Sequence, residues 1–372
     1  MTTKTSNTTT SVARESQAGA APAIDLEKAQ QFMHKVVNDC AATVSVALAV
    51  IGDQLGLYRA LADGGPFTSA ELATRTSTSE RYVREWLINQ AAAGYIGYDP
   101  DSGRYSLTGE RAVALLDANS PFYLGGALMI ALAMTKAEPR IRENFRTGAG
   151  MRWGEHDTYM FEGCERLFRP GYLANLVQSW IPALDGVQAK LERGAKVADV
   201  GCGHGASTII LASAFPNSHF YGFDAHAGSI EQARKHAADA GVADRVTFEV
   251  ASSTNYPGDD YDLVAFFDCL HDIGDPSNTI RHTHDALAPD GTVLMVEPAA
   301  GKRVEDNFNP VGQFYSGASV LVCTPNALAT GSEALGTVAT DDTLEAVVHA
   351  GGLTRFRRVL ETPLNRIFEA RK

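Results

Sequence analysis

From Lys196 to the end of the chain, short apolar runs rich in β-formers alternate with helical stretches. The runs are 197–200 (VADV), 219–223 (HFYGF), 245–250 (RVTFEV), 261–267 (YDLVAFF) and 292–297 (TVLMVE). Parallel-sheet strands buried on both faces read this way. Further strands over 354–359 and 365–370 complete a set of seven. The expectation is an α/β sandwich, a mostly parallel seven-stranded sheet between helices. In such a sheet, ligands bind beyond the carboxyl ends of the strands, where the strand order reverses. The chain has 372 residues, of which 45% are hydrophobic and 20% charged, enough for that core and for a second domain before it.

The N-terminal part reads differently. Residues 1–23 are biased to Thr, Ser and Ala and are expected to be a disordered tail. Apolar residues at helical spacing predict a helix from Leu26 to Ala62, punctuated by Gly52 and Gly56. Thr68 or Ser69 can cap a short helix around Glu71–Arg75, and Ser77 or Ser79 a second helix through Ala93. Leu72, Val83, Leu87 and Ile88 supply their inner faces. Gly94 then stops the second helix, and residues 95–98 and 104–107 flank a turn as a hairpin. Helix, turn, helix and hairpin make a winged helix over 24–115. Residues 116–192 are expected to be a helical connector and lid, broken at Pro121, Pro139, Pro170 and Pro182, with the sheet domain over 193–372. The apolar runs 41–51 and 121–134 are shorter than a bilayer requires, so no membrane association is expected.

Charge narrows the function classes. With 32 basic and 44 acidic residues the net charge is −12, which disfavours a general binder of polyanions. Five cysteines with no C-x-x-C spacing fit neither a disulfide framework nor a zinc finger, and suit a reducing cytoplasm.

The strand over 197–200 runs into Gly201-Cys202-Gly203-His204-Gly205 and then a helix. Glycines there let a cofactor approach the backbone, and the helix start offers free N–H groups. Asp224, which closes the next strand, can accept both hydroxyls of an adenosine ribose. Gly201, Gly203 and Ala206 formally satisfy a dinucleotide fingerprint, so a nicotinamide enzyme is an alternative. Asp199 and the third glycine at 205 point elsewhere. The pattern D-x-G-x-G-x-G resembles motif I of class I S-adenosylmethionine-dependent methyltransferases. That resemblance implies a Rossmann-like methyltransferase sheet and S-adenosylmethionine as cofactor, held by Asp199, Gly201, Gly203, Gly205 and Asp224. Ser252 stands where many such enzymes have an acid near the adenine.

The fourth strand ends in Asp268-Cys269-Leu270-His271-Asp272, at the ligand-binding edge. Histidine exchanges a proton near neutral pH. The segment resembles that of the catalytic histidine in plant-type small-molecule O-methyltransferases, which also carry a dimerising winged helix. The resemblance implies His271 as base, Glu297 as the acid orienting it, and Asp268 beside the cofactor. The acid on the other side of that histidine has no match. A structural cap is the alternative role for His271. Val177-Gln178-Ser179-Trp180-Ile181-Pro182, the DCLHD segment, Val322-Cys323-Thr324-Pro325-Asn326 and Arg355-Phe356-Arg357-Arg358 together resemble an actinobacterial group that fuses a winged helix to a methyltransferase domain.

Trp153, His156, Tyr159, Met160 and Phe161 in the joining segment, with Phe314 and Tyr315 after the fifth strand, are expected to wall a pocket for a flat apolar or phenolic substrate. Asp268, His271, Asp272 and Asp275 are expected to hold no metal, as carboxylates at strand ends are more often caps. The expectation is thus a cytoplasmic, homodimeric methyltransferase of a small-molecule metabolite, without specific nucleic-acid or membrane binding. Two alternatives are a DNA-binding transcriptional regulator that senses S-adenosylmethionine and a catalytically idle binding module. Against DNA, residues 24–115 carry eight basic and eleven acidic side chains, a net of −3.

Overall fold

The structure, a computed structural model, describes residues 24–372, so the expected tail lies outside the described residues. Helix α1 (Leu26–Gln54) opens the chain, and α2 (Leu57–Gly64) follows a break at Gly56, whose φ of 67° is left-handed. The single helix expected here is therefore two. Among the described residues, α1 alone is long and apolar enough to cross a membrane by length and composition, which the shorter run 41–51 did not convey. Its first half carries Phe32, Val36 and Val37 exposed.

Residues from Ser45 onward form one unit. Helix α3 (Ser69–Thr76) is capped by Thr68, whose hydroxyl accepts from the Glu71 N–H while Glu71 accepts from the Thr68 N–H. Helix α4 (Glu80–Ala92) leads to a two-stranded antiparallel wing, β1 (Gly97–Asp99) and β2 (Arg104–Ser106). Val83, Trp86, Leu87 and Gln90 are the buried residues of α4, a stripe of helical period. Ile88 falls off that stripe and is 51% exposed, contrary to its expected inner role. Trp86 takes the inner position, its Nε1–H donating to Leu48 O at 2.8 Å.

Helices α5 (Gly109–Leu116), α6 (Gly125–Lys136), α7 (Glu138–Thr147) and α8 (Thr158–Asn175) form the connector. Pro170 does not break α8. It lies buried inside the helix, which continues through a π turn (Leu176–Trp180) into α9 (Ile181–Ala183). Helix α10 (Val187–Arg193) leads into the sheet.

The seven strands are β3 (Lys196–Val200), β4 (His219–Asp224), β5 (Val246–Val250), β6 (Tyr261–Phe267), β7 (Leu287–Pro298), β8 (Arg355–Glu361) and β9 (Asn365–Arg371). Their order is β5-β4-β3-β6-β7-β9-β8, parallel from β5 to β7 and antiparallel around β9. Helices α11 (Ala206–Ala214), α12 (Ala227–Asp239), α13 (Pro276–Ala286), α14 (Pro310–Ala318), α15 (Thr324–Thr330) and α16 (Asp341–Ala350) connect them. Trp180, Leu211, Phe220 and Ile230 belong to one core cluster, and Tyr256, Phe266, Ile280 and Leu344 to a second. From β3 the chain turns first to β4 and later returns to β6 on the other side. That reversal opens a crevice between the ends of β3 and β6.

Helices α6 and α8 press together through glycines. A Cβ on Gly126 would lie 2.4 Å from Leu167 N, and one on Gly163 would lie 3.0 Å from Gly126 O. Both contacts are with backbone, which cannot step aside as a side chain can. Gly126→Ala is therefore expected to lower unfolding stability by about 1–3 kcal/mol, read from denaturant midpoints, while Gly171→Ala, in open space on the same α8, changes it little.

Candidate active site

A cavity of about 650 Å³ opens at that crevice. Its floor comes from the carboxyl ends of β3, β4 and β6, and its walls from α8, α14 and α15. Gly201, Gly203 and Gly205 all adopt left-handed φ, at 78°, 52° and 80°. Gly201 and Gly203 line the cavity, and a Cβ on Gly203 would meet nothing, so the loop presents bare backbone. Gly205 does not line it. Its Cβ would lie 2.5 Å from the Phe248 ring, so this glycine serves helix-to-sheet packing.

Asp224 lines the cavity with both oxygens held. Oδ2 accepts from the Gly203 N–H at 2.9 Å and Oδ1 from the His226 N–H at 2.8 Å. Each oxygen keeps a further lone pair, so the carboxylate is fixed yet able to accept two hydroxyls. Burial raises its pKa above the ordinary carboxylate value, against the pull of those two N–H groups. Ser252 also lines the cavity, its hydroxyl turned to Thr254 Oγ1 at 3.0 Å.

Asp199 is corrected from a cofactor contact to a support. It is fully buried and does not line the cavity. Its Oδ2 accepts from the Ser207 and Thr208 hydroxyls at 2.6 Å each, which pins the first turn of α11 behind the loop, and Oδ1 has no partner. Burial lifts its pKa to about 6.

Beyond β6, Asp268 holds a left-handed φ of 52°, which Asp tolerates better than most residues. Its Oδ1 accepts from Asn365 Nδ2 at 2.6 Å and its Oδ2 from the Tyr172 hydroxyl at 3.2 Å. Burial, then the Glu297 charge, push its pKa up to about 8. His271 faces the cavity and its Nδ1–H donates to Glu297 Oε2 at 2.7 Å. Glu297 is 1% exposed, stands behind the histidine outside the cavity wall, and leaves Oε1 without a partner. The other neighbour of His271 is the Cys323 thiol, carried on a π turn (Ser319–Cys323) between α14 and α15. Asp272 lines the cavity and is raised to about 7, by burial first.

Of the expected wall, Trp153, Met160, Phe161, Phe314 and Tyr315 line the cavity, and His156 and Tyr159 do not. His156 is buried with neither ring nitrogen partnered, and Tyr159 turns its ring to Lys136, 4.6 Å away. His226 takes their place beside Phe161, rings 4.7 Å apart, with Trp153 against Phe161 at 5.5 Å. Asn326 was missed as a site residue. It accepts from the Trp153 N–H at 2.9 Å and donates to Asp272 O at 3.1 Å, tying the wall to the His271 segment.

Burial by itself lowers the His271 pKa, and is the largest single influence. The Glu297 charge, together with Cys323 and the hydrogen bond, overcomes it and leaves the pKa well above 6.5. In Glu297→Gln that charge is gone while burial remains. The His271 pKa is then expected to fall, read from the NMR shifts of labelled histidine.

The methyltransferase domain family matches residues 191–342, and an Rv2258c-like winged HTH domain matches residues 42–116. Phosphoethanolamine N-methyltransferase 3 of Arabidopsis thaliana is 31% identical over 139 residues, covering 36% of this chain and 27% of that protein. The chain spans between about a quarter and somewhat over half of the curated relatives it matches. In fold it is similar to the mitomycin 7-O-methyltransferase MmcR, with 20% identity, TM-score 0.69 and coverage of 93% of this chain and 100% of that one. Human N-acetylserotonin methyltransferase in complex with SAM gives 18% identity, TM-score 0.67 and coverage of 91% and 97%. The chain therefore carries an Rv2258c-like winged helix-turn-helix domain followed by a methyltransferase domain.

Proposed function

We propose that the protein is an S-adenosylmethionine-dependent methyltransferase of a small-molecule metabolite. The observation that carries this reading is one cavity in which the bare glycine loop, the doubly anchored Asp224 and the Glu297-backed His271 meet. These residues fit the cofactor. Gly203 leaves room against the backbone, and Asp224 retains acceptor capacity for a ribose diol. When bound, the cofactor supplies a methyl group on a sulfonium. Asp224 holds the ribose, and Ser252 offers a hydroxyl at the adenine end. His271 takes the proton from the substrate hydroxyl at Nε2 while Glu297 fixes its Nδ1–H. Trp153, Phe161 and Phe314 hold a flat substrate and exclude water. Residues 116–192 serve as connector and lid between the winged helix over 24–115 and the domain over 193–372.

We further propose a cytoplasmic homodimer. The exposed Phe32, Val36, Val37 and Val44 of α1 suit a second copy, since twofold interfaces are apolar. The free cysteines suit a reducing compartment. DNA reading is disfavoured because three arginines of α4 and the wing are already engaged. Arg84 pairs with Glu80 at 2.9 Å, Arg81 with Glu85, and Arg104 with Glu71 at 2.8 Å.

Asp224→Ala is expected to weaken S-adenosylhomocysteine at least about tenfold in titration calorimetry without unfolding the protein. His271→Ala should leave that affinity nearly constant and lower kcat by about 10²–10⁴-fold on a substrate identified with a labelled methyl donor. Unchanged affinity in the first variant removes the cofactor assignment. A full-rate second variant leaves His271 structural.

The regulator alternative has its own test. Gel shifts at physiological salt with DNA from the gene's neighbourhood should show weak, nonspecific retardation at most. Light scattering should show a dimer. Sequence-specific binding at nanomolar protein would put regulation first.

A further inference from the structure

The cavity is unusually one-sided in charge. Among the described residues lining it, Glu155, Glu165, Asp224, Asp268, Asp272 and Asp275 are acidic, and Arg152 is the single Lys or Arg. Glu297, almost fully buried with Oε1 unpartnered, stands immediately behind. Glu155 and Asp275 are exposed and Glu165 is paired with His204 at 2.8 Å and His236 at 3.2 Å, but Asp224, Asp268 and Asp272 lie together on the floor, where burial raises the pKa of each and a full set of charges would need a compensating cation. The groups facing them supply little. Tyr172 from α8, Tyr315 from α14 and Asn365 from β9 are neutral neighbours of Asp268. Asp199 and Asp224 add negative charge from β3 and β4, and the Cys164, Cys202, Cys269 and Cys323 thiols are neutral. Arg366 on β9 faces Glu297 but is committed to Asp341 at 2.7 Å and to Pro298 O at 2.9 Å. His204 and His226 bear on Asp224, and His271 is the imidazole among the floor acids. Compensation must come from protons or from a ligand.

We propose that Asp268, Asp272 and the His271–Glu297 pair form a proton store keyed to ligand charge: the floor gives up a proton when the positively charged methyl donor enters, and takes one up when that charge is discharged. The inference rests on the methyltransferase reading above. Its chemistry balances. The methyl-to-sulfur bond breaks with its electron pair left on sulfur, and a substrate oxygen lone pair forms the new bond to carbon. The hydroxyl proton passes to His271 and the floor. One positive charge leaves the sulfonium and one arrives as a proton, so the buried site keeps its total charge through the reaction. The proton reaches solvent only when the neutral-sulfur product is exchanged for fresh donor. The raised pKa values of Asp268, about 8, and Asp272, about 7, agree with a floor that holds protons near neutrality. The sign follows, because a cation beside a carboxylate lowers its pKa and releases its proton.

The test needs no substrate. S-adenosylmethionine and S-adenosylhomocysteine carry the same amino and carboxylate groups and differ in the methyl group and the sulfonium charge. Each is titrated into the full chain by calorimetry near pH 7, in phosphate and in Tris, whose ionisation heats differ. The expected result is net proton release with S-adenosylmethionine beyond that with S-adenosylhomocysteine. Raising the pH should then tighten the first ligand by up to about tenfold per pH unit per proton and leave the second nearly flat. Asp272→Asn and Asp268→Asn should shrink the difference, and the wild-type comparison stands even where a variant fails to fold. Equal proton counts for the two ligands overturn the proposal while leaving the cofactor assignment intact. Failure of both ligands to bind overturns the cofactor assignment as well.

Discussion

Carboxylates removed from water must find partners or keep their protons, and the carboxyl edge of the sheet concentrates that demand. Asp199 meets it with two hydroxyls from the first turn of α11, and so holds the glycine loop against β3. Asp224 meets it with two backbone N–H groups, one of them from the loop itself. Asp268 meets it with a tyrosine from α8 and an asparagine from β9, drawing the connector and the antiparallel strand to one floor. Glu297 meets half of it with His271. The walls stand where they do because these acids recruit them.

Much of this edge can be read along the chain. Strand composition places the seven strands within a few residues, because a run of β-forming apolar residues is a local signature, although β5 and β8 are partly exposed rather than buried on both faces. The glycine spacing and Asp224 are legible for a similar reason, as backbone conformation and strand ends are local properties. The layers of the site are not. Asp199, Gly205 and Glu297 lie next to lining residues in sequence but one layer behind them in space, a distinction set by side-chain direction. The wall is harder still. Cys164 and Phe168 line the cavity because α8 crosses α6 at a glycine contact, and nothing near them in sequence records that crossing. Pro170 misled for a related reason, since a buried proline can be carried inside a helix by its packing. Asn326 lay in a segment singled out by its pattern, but its two hydrogen bonds are to residues 54 and 173 positions away.

The winged helix shows how a fold can be kept while its surface chemistry is altered. Its helices, capping box and hairpin make a winged helix-turn-helix, and Arg81, Arg84 and Arg104 are paired with glutamates of the same domain. Tyr82, on the exposed side of α4, offers contact area without phosphate-seeking charge.

Both long helices beside the cavity contain a five-residue π turn, Leu176–Trp180 after α8 and Ser319–Cys323 after α14. A π turn is an α-helix with one residue too many, and each residue advances an α-helix by about 100°. The surplus residue therefore sets the rotational phase between the two halves of each helix. On the second helix, Phe314 before the turn, Cys323 within it and Asn326 after it all address one cavity. Loss of one residue there would leave a longer, more regular helix whose two ends no longer looked at the same molecule.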